Sequence, residues 1–543
     1  MTESHTEEKP FDLIVIGAGI NGAGIARDAA VRGLSVLLLD KGDLSSGTTS
    51  WSTRLIHGGL RYLEYGEVGL VRESLRERER LLRLAPHLVR PLPMLIPIYR
   101  GQRRSRLQIR AGMLAYDLLS LDKSLAHHHM LSRTETLRRV PALRDEGLEG
   151  ASLYYDAQVE YAERLVLENV LSAREHGAQV RTYARAERFI VEDGAVRGVE
   201  FTDLETGRAQ RALSAVTVNV SGPWADELLS TLDHPPARLI GGTKGSHIVV
   251  ASFAGAPRDA LYVEARGDGR LFFIIPWNGM YLIGTTDFRY EGDLDDVRAD
   301  EREIAYLMNE TNRVIPAARL KPSDILYTYS GVRPLASSAN DEGRGGAGVT
   351  RRHFVYDHRE RLQGLLSIIG GKLTTYRNLS EQAVDQVFKK LGRRSPPCQT
   401  ARLPLPGASV PDFAAFAEHF KTSSRLPAEI AERLLRIYGT RAPSVLEIAR
   451  EGPDLLQLFS PLSRAIGAEV LFAFRQELAR NLCDCLLRRT MVGMNRAVGL
   501  DAIEGAARIA QKYLGWSQER AAREVTAYRK YIERFHPTCL TTA

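Results

Sequence analysis

Asp12-Leu-Ile-Val-Ile-Gly17-Ala-Gly19-Ile-Asn-Gly22 is the segment on which the architecture of this chain turns. Leu13 to Ile16 make an apolar run of strand length, and three glycines follow at G-x-G-x-x-G spacing. The glycines play different parts. Gly17 lets the chain turn sharply, Gly19 lets backbone amides reach a pyrophosphate, and Gly22 lets helix and strand pack closely. Small residues at Ala23, Ala26, Ala29 and Ala30 mark the helix, and Gly33 turns into a second apolar run, Leu34 to Leu39. The phosphates of a bound dinucleotide would sit at the helix N-terminus, where unpaired N–H groups and the dipole favour negative charge. Asp40 closes the second run where an acid holding a ribose hydroxyl belongs. An ordinary glycine-containing βα turn would explain the spacing, but not the strand, helix and acid together.

The rest of the composition narrows the class. A chain of 543 residues, 44% hydrophobic and 26% charged, can bury a large core divided among two or three domains. No apolar run is long enough to span a bilayer. Met1 to Pro10 is polar and acidic, unlike a secretory signal or transit peptide, so the chain is expected to stay in the cytoplasm where it is made. Four cysteines, Cys398, Cys483, Cys485 and Cys539, give no disulfide framework. The net charge of +7 fits nucleic acid, an anionic membrane surface or an anionic substrate. Nucleic acid is disfavoured, because no recognition motif occurs and mixed-sign runs such as Arg72-Glu-Ser-Leu-Arg-Glu-Arg-Glu-Arg80 read as a solvated helix face.

Strand and turn signals dominate to about residue 380. Glu187 to Glu192 and Ala195 to Thr202 predict a hairpin around Asp193-Gly194. Val216 to Val220 runs into Ser221-Gly-Pro-Trp224, and Leu365 to Ile369 into Gly370-Gly371; strands ending in glycine suit a fold in which backbone meets cofactor, although a plain turn explains either alone. Leu403-Pro-Leu-Pro-Gly407 reads as a linker to a helical region. There Ile430, Leu434 and Tyr438 precede a C-cap at Gly439, and further helices carry Leu471, Phe474, Leu478, Leu482 and Cys485, then Ile503, Ala507, Ala510 and Leu514.

Several segments together resemble the FAD-dependent glycerol-3-phosphate dehydrogenases of the amino-acid-oxidase-like flavoprotein group. They are Ile16 to Gly24, Arg54-Leu-Ile-His-Gly-Gly-Leu-Arg-Tyr-Leu63, Lys244-Gly-Ser-His247, Ile283-Gly-Thr-Thr-Asp287, Tyr329-Ser-Gly-Val-Arg-Pro334 and Gly370-Gly-Lys-Leu-Thr-Thr-Tyr376. The likeness runs from Phe11 to about Phe535, and Glu477 to Thr490 resembles that family's helical cap, with Cys485 replacing a branched aliphatic residue. The resemblance implies an α/β fold: a Rossmann-like FAD-binding domain (1–90, 150–230 and 350–395) interleaved with a mixed α+β substrate domain (91–149 and 231–349), then an all-α C-terminal domain (405–543). It implies FAD, oxidation of sn-glycerol 3-phosphate to dihydroxyacetone phosphate and electron delivery to quinone. It also implies peripheral association with the inner face of the cytoplasmic membrane, and it admits a homodimer. An oxidase that uses oxygen and a flavin-binding regulatory protein without turnover are the alternatives.

The resemblance assigns Gly17, Gly19, Asn21, Gly22, Asp40, Thr48, Ser52, His57, Gly222, Gly370, Gly371, Lys372, Leu373 and Thr374 to the cofactor, and Arg61, Tyr62, Arg333 and Arg351 to the substrate. A phosphate dianion loses hydration on entering a pocket, and planar guanidinium groups answer that best. Arg352 adjoins Arg351, so the register at that pair stays open. Oxidation of the alcohol moves a hydride from carbon 2 to the flavin while a base takes the hydroxyl proton, a role suited to histidine. His247 is favoured over His57 because its segment resembles a substrate-facing strand. Lys372 would set positive charge beside the flavin, and Thr374 and Thr375 would cap the following helix. No metal is expected: Cys483 and Cys485 sit two apart on a helix, facing different ways, and His127-His128-His129 reads as a solvated loop. Leu92 to Tyr99, between Arg90 and the basic run Arg100, Arg103, Arg104 and Arg106, reads as a buried strand before an exposed loop. No membrane-contact element is assigned.

Overall fold

The computed structural model describes residues 9–121, 123–337 and 352–536. The chain divides into two compact units, Met1–Thr49, Val166–Gly242 and Arg333–Leu403 in the first, Ser50–Leu165, Thr243–Val332 and Pro404–Ala543 in the second. The fold is the Rossmann-like α/β arrangement with a helix-rich C-terminal region that the sequence predicts.

In the first unit β1 (Phe11–Ile16) is the middle of a largely parallel sheet. It pairs on one side with β2 (Val36–Leu39), Leu13 opposite Val36, and on the other with the strand Arg208–Asn219. The paired segments are buried on two faces, which is why these strands are unbroken Val/Ile/Leu runs without alternation. Between β1 and β2 in sequence lies α1 (Ile20–Val31), against which the helix Tyr376–Lys390 packs. The crossing is close because Gly24 has no side chain; a Cβ there would lie 2.4 Å from Ser380 Oγ. The predicted hairpin is present as Ala184–Glu192 and Ala195–Asp203, with Asp193 and Gly194 both at positive φ, the geometry of a tight primed turn.

The second unit is built on a curled ten-stranded sheet whose middle strands include Thr243–Val250, Met280–Gly284, Leu271–Trp277, Val89–Tyr99 and Leu148–Val159. Leu92 to Tyr99 is a strand, as read. The C-terminal helices are joined by a two-stranded ladder, Leu458–Ser460 with Ala465–Ile466. Their apolar side chains share one continuous core with those of the sheet, from Leu55 to Phe535.

Leu403 to Gly407, read as a linker, carries the division between the units at Leu403/Pro404, and it is packed: Leu405, Pro406 and Gly407 are buried, and Leu405 N–H donates to Leu84 O. Three local readings are corrected. The run from Leu471 to Cys485 is not one helix. It stops at Gln476, turns through Leu478 at φ 62°, and resumes at Leu482 into a π-helical turn, Cys485–Arg489. The cause is Glu477, which leaves the helix to meet Arg164 and Arg441. The mixed-sign run on α2 (Val68–Leu84) is solvated only in part, since Ser74, Glu77, Arg78 and Glu79 are buried. His128 is tied to Asp117 at 2.7 Å, leaving only part of the histidine tract in solvent. Among the described residues, no group of histidine, cysteine and acid side chains is placed to hold a metal.

Candidate active site

The residues of the first unit expected at the cofactor gather where β1 ends. Gly17 has φ 109°, and a Cβ on Gly22 would lie 1.8 Å from Gly17 O, so both positions exclude any larger residue. Gly19 caps α1 without a side chain of its own; Ile20 N–H donates to Thr49 Oγ1 at 3.2 Å, and the helix start favours an anion at the rest of the first turn. Asp40 follows β2 and clasps this loop: its two carboxylate oxygens accept from Ala18 N–H at 2.6 Å and Gly42 N–H at 2.8 Å. Burial raises its pKa above the ordinary range, against the pull of those amides. Gly370 and Gly371, at positive φ, meet the same loop through Asn21, whose Nδ2 donates to Gly370 O at 3.3 Å. A Cβ on Gly371 would lie 2.5 Å from that nitrogen.

Lys372 and Leu373 are half-buried and Thr374 is buried in the turn leading to the helix Tyr376–Lys390. Thr375 stands at the N-cap position but makes no side-chain cap bond, contrary to the reading of the pair as caps. Its Oγ1 and Asn21 Oδ1 are buried and lack hydrogen-bond partners among the described residues. Such atoms normally carry a partner, so the glycine cradle and these two groups fit a polar cofactor. Thr48 is half-buried, Gly222 turns at φ 65° after the strand Arg208–Asn219, and half-buried Arg333 begins this unit's third segment. Arg351 lies outside the described residues.

The residues of the second unit expected at the substrate rest on two short devices. Leu55–Ile56 is a strand; His57 follows it, half-buried with its ring edge-on to Phe273 at 6.5 Å; and Gly59 opens a 3₁₀ turn, Leu60–Tyr65, that carries Arg61 and Tyr62. Arg61 is half-buried and donates to Tyr65 Oη at 3.4 Å. The loop is held from below. The Tyr116 hydroxyl, 2.8 and 2.9 Å from the oxygens of Asp156, donates to that carboxylate and accepts from Gly58 N–H at 2.9 Å. Arg78 of α2 donates to Asp156 at 2.6 Å. Preceding the loop, Arg54 is fully buried in a two-pronged pair with Glu163 at 2.8 Å, lies over the Trp277 ring, and donates its backbone N–H to Ser52 Oγ.

His247 is buried on the strand Thr243–Val250. Its Nε2 is 2.9 Å from Thr53 Oγ1, and its ring leans on Tyr329 with centroids 4.9 Å apart. Gly284, opposite it in register, leaves room for the ring; a Cβ there would lie 2.4 Å from His247 Cδ2. Lys244 in the same motif is engaged by Glu303 at 2.8 Å and Asp300 at 3.1 Å. Sequence reasoning missed Thr53, Tyr329, Tyr116 and Asp156. Tyr329 and Gly284 stood inside quoted motifs, whereas Tyr116 and Asp156 carried no signal of their own.

A glycine cradle at the end of a largely parallel sheet, with an acid clasping the loop, is a dinucleotide-binding arrangement, and the model of FAD-dependent oxidoreductases matches residues 12–377. The chain belongs to that family. It is an FAD-dependent oxidoreductase, and FAD is its cofactor. A second model, the C-terminal domain of alpha-glycerophosphate oxidase, matches residues 398–521. Among curated relatives, a glycerol-3-phosphate dehydrogenase of Synechocystis sp. is 46% identical over 536 residues, 96% of each chain. One of Mycobacterium leprae is 37% identical over 96% of this chain and 88% of its own. The solved structure of a glycerol-3-phosphate dehydrogenase from Bacillus halodurans complexed with FAD superposes with TM-score 0.80 at 29% identity, covering 97% of this chain and 95% of that one.

Proposed function

We propose that this oxidoreductase converts sn-glycerol 3-phosphate to dihydroxyacetone phosphate and passes the electrons to a membrane quinone. The observation that carries the substrate is likeness along almost the whole chain to relatives named glycerol-3-phosphate dehydrogenase, joined to motif arginines that suit a phosphate. Bound FAD supplies a two-electron acceptor for the hydride of carbon 2. Gly17, Gly19, Asn21, Gly22, Asp40, Thr48, Ser52, Gly222, Gly370, Gly371, Leu373 and Thr374 are its proposed holders. His247 takes the hydroxyl proton and returns it to solvent, with Thr53 fixing the ring. His57 is the alternative base and a cofactor contact. Arg61, Arg333 and, on sequence alone, Arg351 bind the phosphate, Tyr62 borders the substrate, and Lys372 provides positive charge beside the cofactor.

Membrane association is supported by α3 (Arg106–Leu118). Its buried stripe, Ile109, Met113 and Tyr116, faces the core. On the opposite side Leu107 and Leu114, with Leu118 at the end and Leu121 just beyond it, are 76, 56, 64 and 74% exposed. Arg103, Arg106 and Arg110 flank this side. Leucines between arginines suit an anionic lipid surface without crossing it, and no helix among the described residues is long and apolar enough to cross.

A second reading, transfer to oxygen, is favoured by the alpha-glycerophosphate oxidase name of the model that matches residues 398–521. Steady-state turnover with sn-glycerol 3-phosphate, on phosphatidylglycerol vesicles, separates the two: a quinone analogue should be reduced much faster than oxygen. Peroxide production at an equal or greater rate would replace the quinone reading with the oxidase one.

A further inference from the structure

The second unit holds a half-open cavity of about 860 Å³, lined by none of the proposed site residues, between the start of the strand Val89–Tyr99, the helices Phe413–Ser423 and Ala428–Tyr438, and the loops at 461–464 and 491–496. That volume lies within the range of sites for small organic ligands. Its wall is strongly cationic, with Arg90, Lys421, Arg433, Arg436, Arg464 and Arg496 against Glu429 and Glu432. Some of this charge is already matched: Arg433 pairs with Glu469 at 2.9 Å, Arg464 with Glu429 at 3.2 Å, and Lys421 with Glu418 at 2.9 Å.

The remainder is matched less completely. Arg90 and Arg496 have no side-chain hydrogen bond or ion pair among the described residues. Arg436 meets Glu160 only at 3.4 Å, and its Nε is buried without a hydrogen-bond partner among them. Arg90 stands exposed at the start of its strand, yet partial burial lowers its guanidinium below the ordinary arginine range; Glu160, Tyr161 and Glu432 pull it back and Arg436 lowers it further. Like charges brought together in a partly enclosed space are unfavourable unless an anion neutralises them, and a buried N–H left unmatched adds to the cost. Phe413, Ala417 and Leu462 add apolar surface to the lining.

We infer that this cavity is a second ligand site, taking a small organic phosphate whose phosphate or pyrophosphate is held by Arg90, Arg436 and Arg496 and whose apolar body lies on Phe413, Ala417 and Leu462. Arginine is the side chain best shaped for that anion, since its planar fork gives two parallel donors. This second site stands whatever the identity of the oxidised substrate.

The test is calorimetric titration of the FAD-loaded full chain with inorganic pyrophosphate, ADP and dihexanoyl phosphatidic acid, at matched ionic strength. Saturable one-to-one binding is expected, undisturbed by saturating sn-glycerol 3-phosphate. Arg436→Gln should weaken it at least about tenfold, the loss of one charge-assisted hydrogen bond. Arg496→Gln removes an exposed side chain outside any ion pair among the described residues, so it tests the site without threatening the fold, and should weaken binding several-fold. The tighter of ADP and the short lipid identifies the source of the phosphate as a soluble nucleotide or a lipid headgroup. Heats that never saturate with any of the three probes, affinities equal in wild type and both variants, or displacement by sn-glycerol 3-phosphate would overturn the inference.

Discussion

The two units solve the problem of a rigid site in opposite ways. In the first, the proposed cofactor surface is backbone: glycines that exclude side chains, amides at the start of α1, and one carboxylate, Asp40, closing the loop. In the second, the loop bearing His57, Arg61 and Tyr62 stands on side chains buried in ionic and hydrogen-bonded pairs, Arg54 with Glu163 and Arg78 with Asp156 and Tyr116. A backbone site fails when an atom is added, and a side-chain site when one is removed.

The largest effect should follow from adding one carbon to the first. Gly22→Ala puts a methyl group 1.8 Å from Gly17 O, a contact no rotamer relieves. The variant is expected to purify without FAD; a yellow protein with normal flavin content would show that the cradle is not steric.

Next in size is a buried ion pair to which no step of the proposed chemistry is assigned. Glu477 is buried, accepting from Arg164 at 2.6 and 2.8 Å and from Arg441 at 2.6 Å. Glu477→Gln leaves two arginines uncompensated and should cost about 3–5 kcal/mol of stability by denaturant unfolding, with KM unchanged. Tyr116→Phe is the converse. It keeps the ring but removes the closer of the two acceptors of Gly58 N–H, leaving Asp156 Oδ1 at 3.3 Å, and removes the donor to Asp156, so KM for the substrate should rise by about tenfold while FAD content and kcat change little. If Tyr116→Phe merely lowers stability as Glu477→Gln does, the network under the loop is structural and does not position the loop.

The smallest effect is a pH dependence in the first unit. His358 is buried, its Nε2 2.9 Å from Ser367 Oγ; burial, with Asp357 opposing and Lys390 and Arg361 reinforcing, lowers its pKa to about 4 from 6.5. Between those values the unfolded chain binds more protons, so this contribution is intact above pH 6.5 and declines as pH falls toward 4. His358→Gln should therefore flatten Tm against pH across that window; an unchanged slope would mean that His358 does not titrate this way.

The same contrast explains what the sequence makes legible. Glycine spacing is a local signal with a steric cause, so β1, α1, β2, the Asp193-Gly194 hairpin and both later glycine turns are readable without a structure. The supports of the second unit are not. Arg78 and Asp156 are far apart in sequence, and Arg78 sits in a run whose alternating signs suggest solvent; only the sheet brings its partner underneath. Glu477 likewise breaks a helix whose apolar spacing continues across it, because two distant arginines outweigh helical propensity. On α3 a second apolar stripe lies opposite the core stripe, so the helix lacks the single polar face that ordinary amphipathic reading seeks.

Oxidation of sn-glycerol 3-phosphate at the flavin, with His247 as the base, is tested most directly by anaerobic stopped-flow reduction of the bound FAD. Wild-type flavin should bleach rapidly with sn-glycerol 3-phosphate and hardly at all with glycerol. His247→Asn should keep FAD yet slow bleaching by about 10²–10⁴-fold and lose the acidic limb of the pH profile. Equal bleaching by glycerol would contradict the substrate, and a normal rate and pH profile in His247→Asn would contradict the base.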